Sequence, residues 1–168
     1  MKKKIIKVAL IGSTNAGKST FINSLIGEKI SIENKKINTT QELISGILNI
    51  NNTQIILYDT PGLDFFIKKN IDLNKQKIKI ELLEMINFVD LILYIVDVKK
   101  INLQYIQKNI ERINQSNKPV VVVFNKIDLI KKELILSYIK ILNEFKLIDD
   151  FFSISAKYSK GINDVIKY

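Results

Sequence analysis

Hydrophobic residues along this chain switch repeatedly between two spacings. Residues 5–11 (IIKVALI) form a strand-like run that stops at Gly12. Phe21, Ile22, Leu25 and Ile26 then recur at helical spacing up to Gly27. Residues 44–50 and 54–58 read as two strands, and the Asn51-Asn52 pair between them predicts a hairpin. Ile78, Leu82, Met85 and Val89 stand at i, i+4, i+7 and i+11, which predicts a long amphipathic helix. Residues 91–96 and 119–124 are unbroken apolar runs, the pattern of strands buried on both faces. Between them, Ile106, Ile110 and Ile113 mark a helix. Ile135, Tyr138, Ile139, Leu142 and Phe145 mark another helix, 151–154 a last short strand, and Gly161 opens a final helix of two turns. Residues 28–42 are polar and read as a mobile loop, and 63–71 show no period.

Strands that alternate with helices predict an α/β fold of three layers. The expected sheet has six mostly parallel strands and one antiparallel edge hairpin. Sheets of this kind bind ligands beyond the carboxyl ends of their strands. Four polar stretches fall there: GSTNAGKS (12–19), DTPG (59–62), NKID (125–128) and SAK (155–157). No internal repeat or linker divides the chain, so residues 1–168 read as one domain.

The first stretch is G-x-x-x-x-G-K-S between a strand and a helix. Its glycines let successive backbone N–H groups turn inward on phosphate oxygens, and the helix that follows adds its positive end. Lys18 is the point charge for the β- and γ-phosphates, and the Ser19 hydroxyl is a ligand for Mg2+. In the empty loop, Lys18 is expected to face solvent.

Composition narrows the chemistry. The chain has 168 residues, 46% of them hydrophobic, enough for a real core. It contains no histidine and no cysteine, so disulfides, thiol nucleophiles and imidazole proton shuttles are excluded. What is left is carboxylates, lysines, hydroxyls, amides and hard, oxygen-bound cations. The net charge of +9 suits a polyanion, nucleic acid first and an anionic membrane surface second. The lysine, isoleucine and asparagine excess equally matches a genome rich in A and T. No run is long and apolar enough to span a membrane, and the chain is expected to be cytoplasmic.

In this order the four motifs resemble a translation-factor-like P-loop GTPase. The closer resemblance is to the Era family: KINTTQELISGI (36–47) is similar to its paired-threonine switch, and the hairpin followed by YDTPGL is its usual continuation. TrmE-like and EngA-like GTPases are the nearest relatives. The resemblance covers the GTPase half of Era, without the RNA-binding KH domain, and makes the last helix look truncated.

The resemblance implies a P-loop NTPase fold, GTP and GDP as ligands, and a set of roles. Gly12, Asn15, Ala16, Gly17 and Lys18 would surround the phosphates, with Thr20 near the α-phosphate. Ser19, Thr40 and Asp59 would hold Mg2+, Asp59 through water; Thr39 is the second candidate for the switch threonine. The Gly62 amide would meet the γ-phosphate. Asn125, Lys126 and Asp128 resemble the guanine reader. Ser155, Ala156 and Lys157 resemble the loop over the base, with the Ala156 amide donating to O6.

Three positions stand out: Thr14 for the family's proline, Gln41 for its arginine, and Leu63 where Ras-like enzymes carry a glutamine, which is normal for the hydrophobic-substituted class that includes Era. Asn15 resembles the asparagine that in related GTPases helps hold K+ in place of an arginine finger. The expected function is Mg2+-dependent GTP hydrolysis by a monomeric switch in ribosome small-subunit assembly. Its expected partner is ribosomal RNA or a subunit precursor, with peripheral membrane contact as a further expectation. A nucleotide-binding module without turnover, and an RNA-binding protein working through its lysines, are the competing readings.

Overall fold

The computed structural model describes residues 4–26, 44–60 and 73–168. Thr39, Thr40, Gln41, Gly62 and Leu63, and with them the expected loop at 28–42, lie outside the described residues.

One sheet runs in the order β2-β3-β1-β4-β5-β6. Its strands are β1 (Lys4–Gly12), β2 (Ile44–Ile50), β3 (Thr53–Asp59), β4 (Leu91–Asp97), β5 (Val120–Asn125) and β6 (Asp150–Ser153). β2 and β3 pair antiparallel around the Asn51-Asn52 turn, and every other neighbouring pair is parallel. The described helices are α1 (Lys18–Ile26), α2 (Leu73–Phe88), α3 (Leu103–Ile113), α4 (Lys132–Asn143) and α5 (Ile162–Lys167). The fold expected from the hydrophobic pattern is therefore present: a mostly parallel six-stranded sheet with one antiparallel edge hairpin.

The two unbroken apolar runs are explained by what covers them. Side chains alternate across a strand, so each face of the sheet receives every second residue. Ile92, Tyr94 and Val96 of β4 join Val120, Val122 and Phe124 of β5 under α2, α3 and α4. Leu93, Ile95, Val121 and Val123 pack on the other face with Phe21 and Leu25 of α1 and Ile162 and Val165 of α5. Both faces are covered, so neither strand has a polar side. In α2 the inward residues are Leu82 and Ile86, with Val89 just past the helix and Met85 at the margin.

Register sets the strand ends that matter. Leu10 pairs with Asp59, Gly12 with Ile95, Asp97 with Asn125, and Phe124 with Ser153. The carboxyl ends of five parallel strands thus open on one edge of the sheet. No helix among the described residues is long and apolar enough to cross a membrane.

Candidate nucleotide-binding site

The loop from Gly12 to Gly17 is held where only glycine fits at either end. A Cβ on Gly12 would lie 2.3 Å from the Ile95 carbonyl oxygen, so β1 and β4 meet there at backbone contact. Gly17 has φ +97°, and a Cβ on it would lie 2.2 Å from Asn125 Nδ2. Between them Asn15 also takes a left-handed conformation, φ 66°. The chain then enters α1, whose first turn holds no acidic residue to offset its positive end.

Lys18 does not face solvent. Its side chain is buried, and Nζ donates to the carbonyls of Gly12 at 3.2 Å and Ser13 at 3.3 Å. An ammonium at the base of an empty loop is drawn to the carbonyls that line it, because it has three N–H donors to satisfy. Ser19 Oγ donates to Asp59 Oδ2 at 3.4 Å, and Thr20 is exposed beside it. The Ala16 amide donates to the Ser13 carbonyl at 3.1 Å.

Asp59 ends β3 and is kept in place by its neighbour. Both the N–H and the hydroxyl of Thr60 donate to the Leu10 carbonyl, at 3.3 and 2.8 Å. Burial pushes the Asp59 carboxyl above its ordinary pKa, and the Lys18 charge and hydrogen bonds from Ser19 and Thr60 pull it back.

Asn125 joins three of the four stretches. Its Nδ2 donates to the Ala16 carbonyl at 2.9 Å, and its Oδ1 accepts from the amides of Lys126 at 2.8 Å and Ala156 at 3.0 Å. The residue is 2% exposed, so these bonds have no water to replace them. Asn125→Ala is expected to lower the stability of the nucleotide-free protein by about 2–4 kcal/mol, because two buried groups and one partly buried group lose their partner. Denaturant unfolding measures it; a loss well under 1 kcal/mol would contradict a structural role for this side chain.

The Ala156 amide, expected at guanine O6, is thus engaged by Asn125. Reading O6 requires that bond to be shared or exchanged. Ser155, buried, donates its hydroxyl to Asp128 Oδ1, which orients the carboxylate while Asp128 itself stays exposed. Lys157 is exposed, with Nζ 5.0 Å from the centre of the Tyr158 ring.

Lys126 adopts φ 67°, and its Nζ reaches back to the Asn15 carbonyl at 2.8 Å and to Asp97 Oδ2 at 2.6 Å. Asp97 was not singled out from the sequence. Its signal was there: a carboxylate closing the buried run of β4, at the same edge as the four motifs.

The structure therefore gathers Gly12 to Thr20, Asp59, Asn125 to Asp128 and Ser155 to Lys157 at one sheet edge. Thr40 and Gly62 lie outside the described residues.

Comparison with known proteins agrees with this fold. GTPase Era of Ehrlichia canis is 36% identical over 166 residues, 99% of this chain and 55% of that protein. GTPase Era of Rickettsia typhi is 39% identical over 171 residues, again 99% and 55%. The chain spans about half the length of the curated relatives it matches. A crystal structure of an Aquifex aeolicus Era variant bound to GDP and AlF4− superposes with a TM-score of 0.77 at 32% identity, over 98% of this chain and 55% of that one. A structure of Era with MgGDPNP and nucleotides 1506–1542 of 16S ribosomal RNA gives the same TM-score, identity and coverage. The resemblance to Era seen in the motifs is borne out. The sequence profile of the 50S ribosome-binding GTPases matches residues 7–126, from β1 past the end of β5. A match of that extent makes this chain a member of the 50S ribosome-binding GTPase family.

Proposed function

We propose that this chain is an Era-like G domain, residues 1–168, that binds GTP with Mg2+ and hydrolyses it to GDP and phosphate as a conformational switch. The observation that carries the reading is the junction at Asn125, which ties the phosphate loop to both loops expected around the base. Among the described residues no side chain is set up as a nucleophile, and the sequence has neither histidine nor cysteine. Catalysis is then positioning and electrostatics. Lys18 exchanges the Gly12 and Ser13 carbonyls for the β- and γ-phosphates, and Thr20 approaches the α-phosphate. Asp128 accepts from guanine N1–H and its 2-amino group, with Lys126 and residues 155–157 flanking the base.

The donor set suits Mg2+. The Ser19 hydroxyl and the Asp59 carboxylate are hard oxygen donors 3.4 Å apart, and a carboxylate penalised by burial gains from a cation. Ser19 and Asp59 would hold the ion, with Thr40 and the Gly62 amide completing the γ-phosphate side as the family resemblance implies. When bound, Mg2+ offsets the negative charge on the β- and γ-phosphates.

The family is that of the 50S ribosome-binding GTPases, whereas the Era structure is bound to 16S RNA, which belongs to the small subunit. Identity of 36–39% to Era proteins over nearly the whole chain favours the small-subunit RNA as partner, and with it a cytoplasmic place of work. The positive net charge supports an RNA partner.

Phosphate release from GTP and from ATP, each with Mg2+ in KCl and in NaCl, tests the reading. GTP alone is expected to be turned over; equal turnover of ATP would refute guanine recognition. Tight GTP binding without phosphate release would leave a nucleotide-binding module.

Release is expected to be faster in KCl than in NaCl at equal ionic strength, with Asn15→Ala erasing the difference. The motif stretches contain no arginine, and exposed Asn15, three residues before Lys18, would help hold a monovalent cation. Equal rates in the two salts would assign the missing charge to a partner.

A further inference from the structure

We propose that Asp97 is a positioning residue for the nucleotide, acting through Lys126; this rests on the nucleotide reading above. Lys126 begins in a left-handed backbone conformation beyond β5 and ends at the phosphate loop. Its ammonium is fixed twice, to the Asn15 carbonyl at 2.8 Å and to the Asp97 carboxylate at 2.6 Å. A four-carbon stem pinned at both ends has lost its rotamer freedom before any ligand arrives. It is an apolar rail between the base-reading loop and the phosphate loop, ready for the flat face of a purine.

Asp97 is suited to hold that end. It closes β4 in register with Asn125, so its carboxylate stands one strand away from the lysine's own anchor. Its other oxygen, Oδ1, accepts from the Lys99 amide at 3.0 Å, at the start of the 3-10 turn 98–100. The side chain is 9% exposed against 31% for Lys126, so the acid is the fixed partner and the lysine the adjustable one. A carbonyl alone would leave the ammonium one neutral acceptor; the carboxylate adds a charge-assisted bond.

Asp97→Asn has the same shape but a single oxygen for two tasks. If that oxygen keeps the Lys99 amide, an NH2 group faces the lysine ammonium and the tether is lost. With the 168-residue chain loaded with fluorescent GDP, release from Asp97→Asn is expected to be about tenfold faster than from the wild type, the weight of one charge-assisted bond. Lys126→Met should speed release at least as much. In the Lys126→Met background, adding Asp97→Asn should change the rate less than about twofold, because the two residues act as a unit. Asp97→Glu keeps the charge and should stay close to the wild type.

Unchanged release from Asp97→Asn, or effects that multiply in the double variant, would overturn the proposal. So would equal acceleration by Asn and Glu with a matching drop in melting temperature, which is the signature of a merely structural acid. If Asp97→Asn does not fold, wild-type release rates from Lys126→Met would overturn it from the other end. Failure of the wild type to bind GDP at all is a different result, and would bring down the nucleotide reading itself.

Discussion

Asp128→Asn is expected to move the preference of this protein from GTP toward xanthosine triphosphate by about a thousandfold. A carboxylate can only accept, and guanine offers two donors, N1–H and the 2-amino group. Xanthine replaces the amino group with an oxygen, which a carboxylate repels and an amide N–H satisfies. The surroundings make the exchange clean. Ser155 donates its hydroxyl to Asp128 Oδ1, and an asparagine oxygen in that place accepts the same bond. Asp128 is otherwise exposed, so the substitution leaves the fold unchanged. Competition of the two triphosphates for the folded variant decides the matter; an undiminished preference for GTP would remove 125–128 as the base reader.

Lys18→Ala is expected to lower GTP affinity at least about a hundredfold, since two charge-assisted contacts to phosphate disappear together. The fold should survive with a modest deficit. The ammonium is buried against the Gly12 and Ser13 carbonyls, and truncation leaves both to find water, at about 1 kcal/mol in total. Titration with GTP, alongside thermal unfolding of the empty protein, separates the two effects. Unchanged affinity would refute a phosphate-binding role for the 12–19 loop.

These outcomes depend on features that the sequence discloses unevenly. β4 and β5 are plain in it because helices cover both their faces, which leaves no polar position to interrupt 91–96 or 120–124. Strand ends are plain to within a residue: β5 runs on to Asn125, and β6 starts at Asp150. The order of the polar stretches is legible too, because each follows a strand whose register brings its carboxyl end to the same edge.

Side-chain direction is not. Lys18 turns inward because the Gly12 and Ser13 carbonyls stand there, and the Ala156 amide is engaged because Asn125 Oδ1 lies 3.0 Å away. Neither fact is local to its own stretch of sequence. Asp97 carries no such signal, because DVKK matches no phosphate or base motif, although its place at a strand's carboxyl end is that of the others.

The Asn125 junction also bears on how the protein is made. Its Nδ2 bond to Ala16 spans 109 residues, and its bond from Ala156 spans 31 more toward the end of the chain. A growing polypeptide has its glycine-rich turn early, yet lacks the side chain that fixes it until β5 has left the synthesis tunnel. Contacts so distant in sequence form late, because the intervening chain must close first. The 12–17 loop is therefore fixed only after β5 and residue 156 have emerged, when the hairpin and β4 have already had time to assemble.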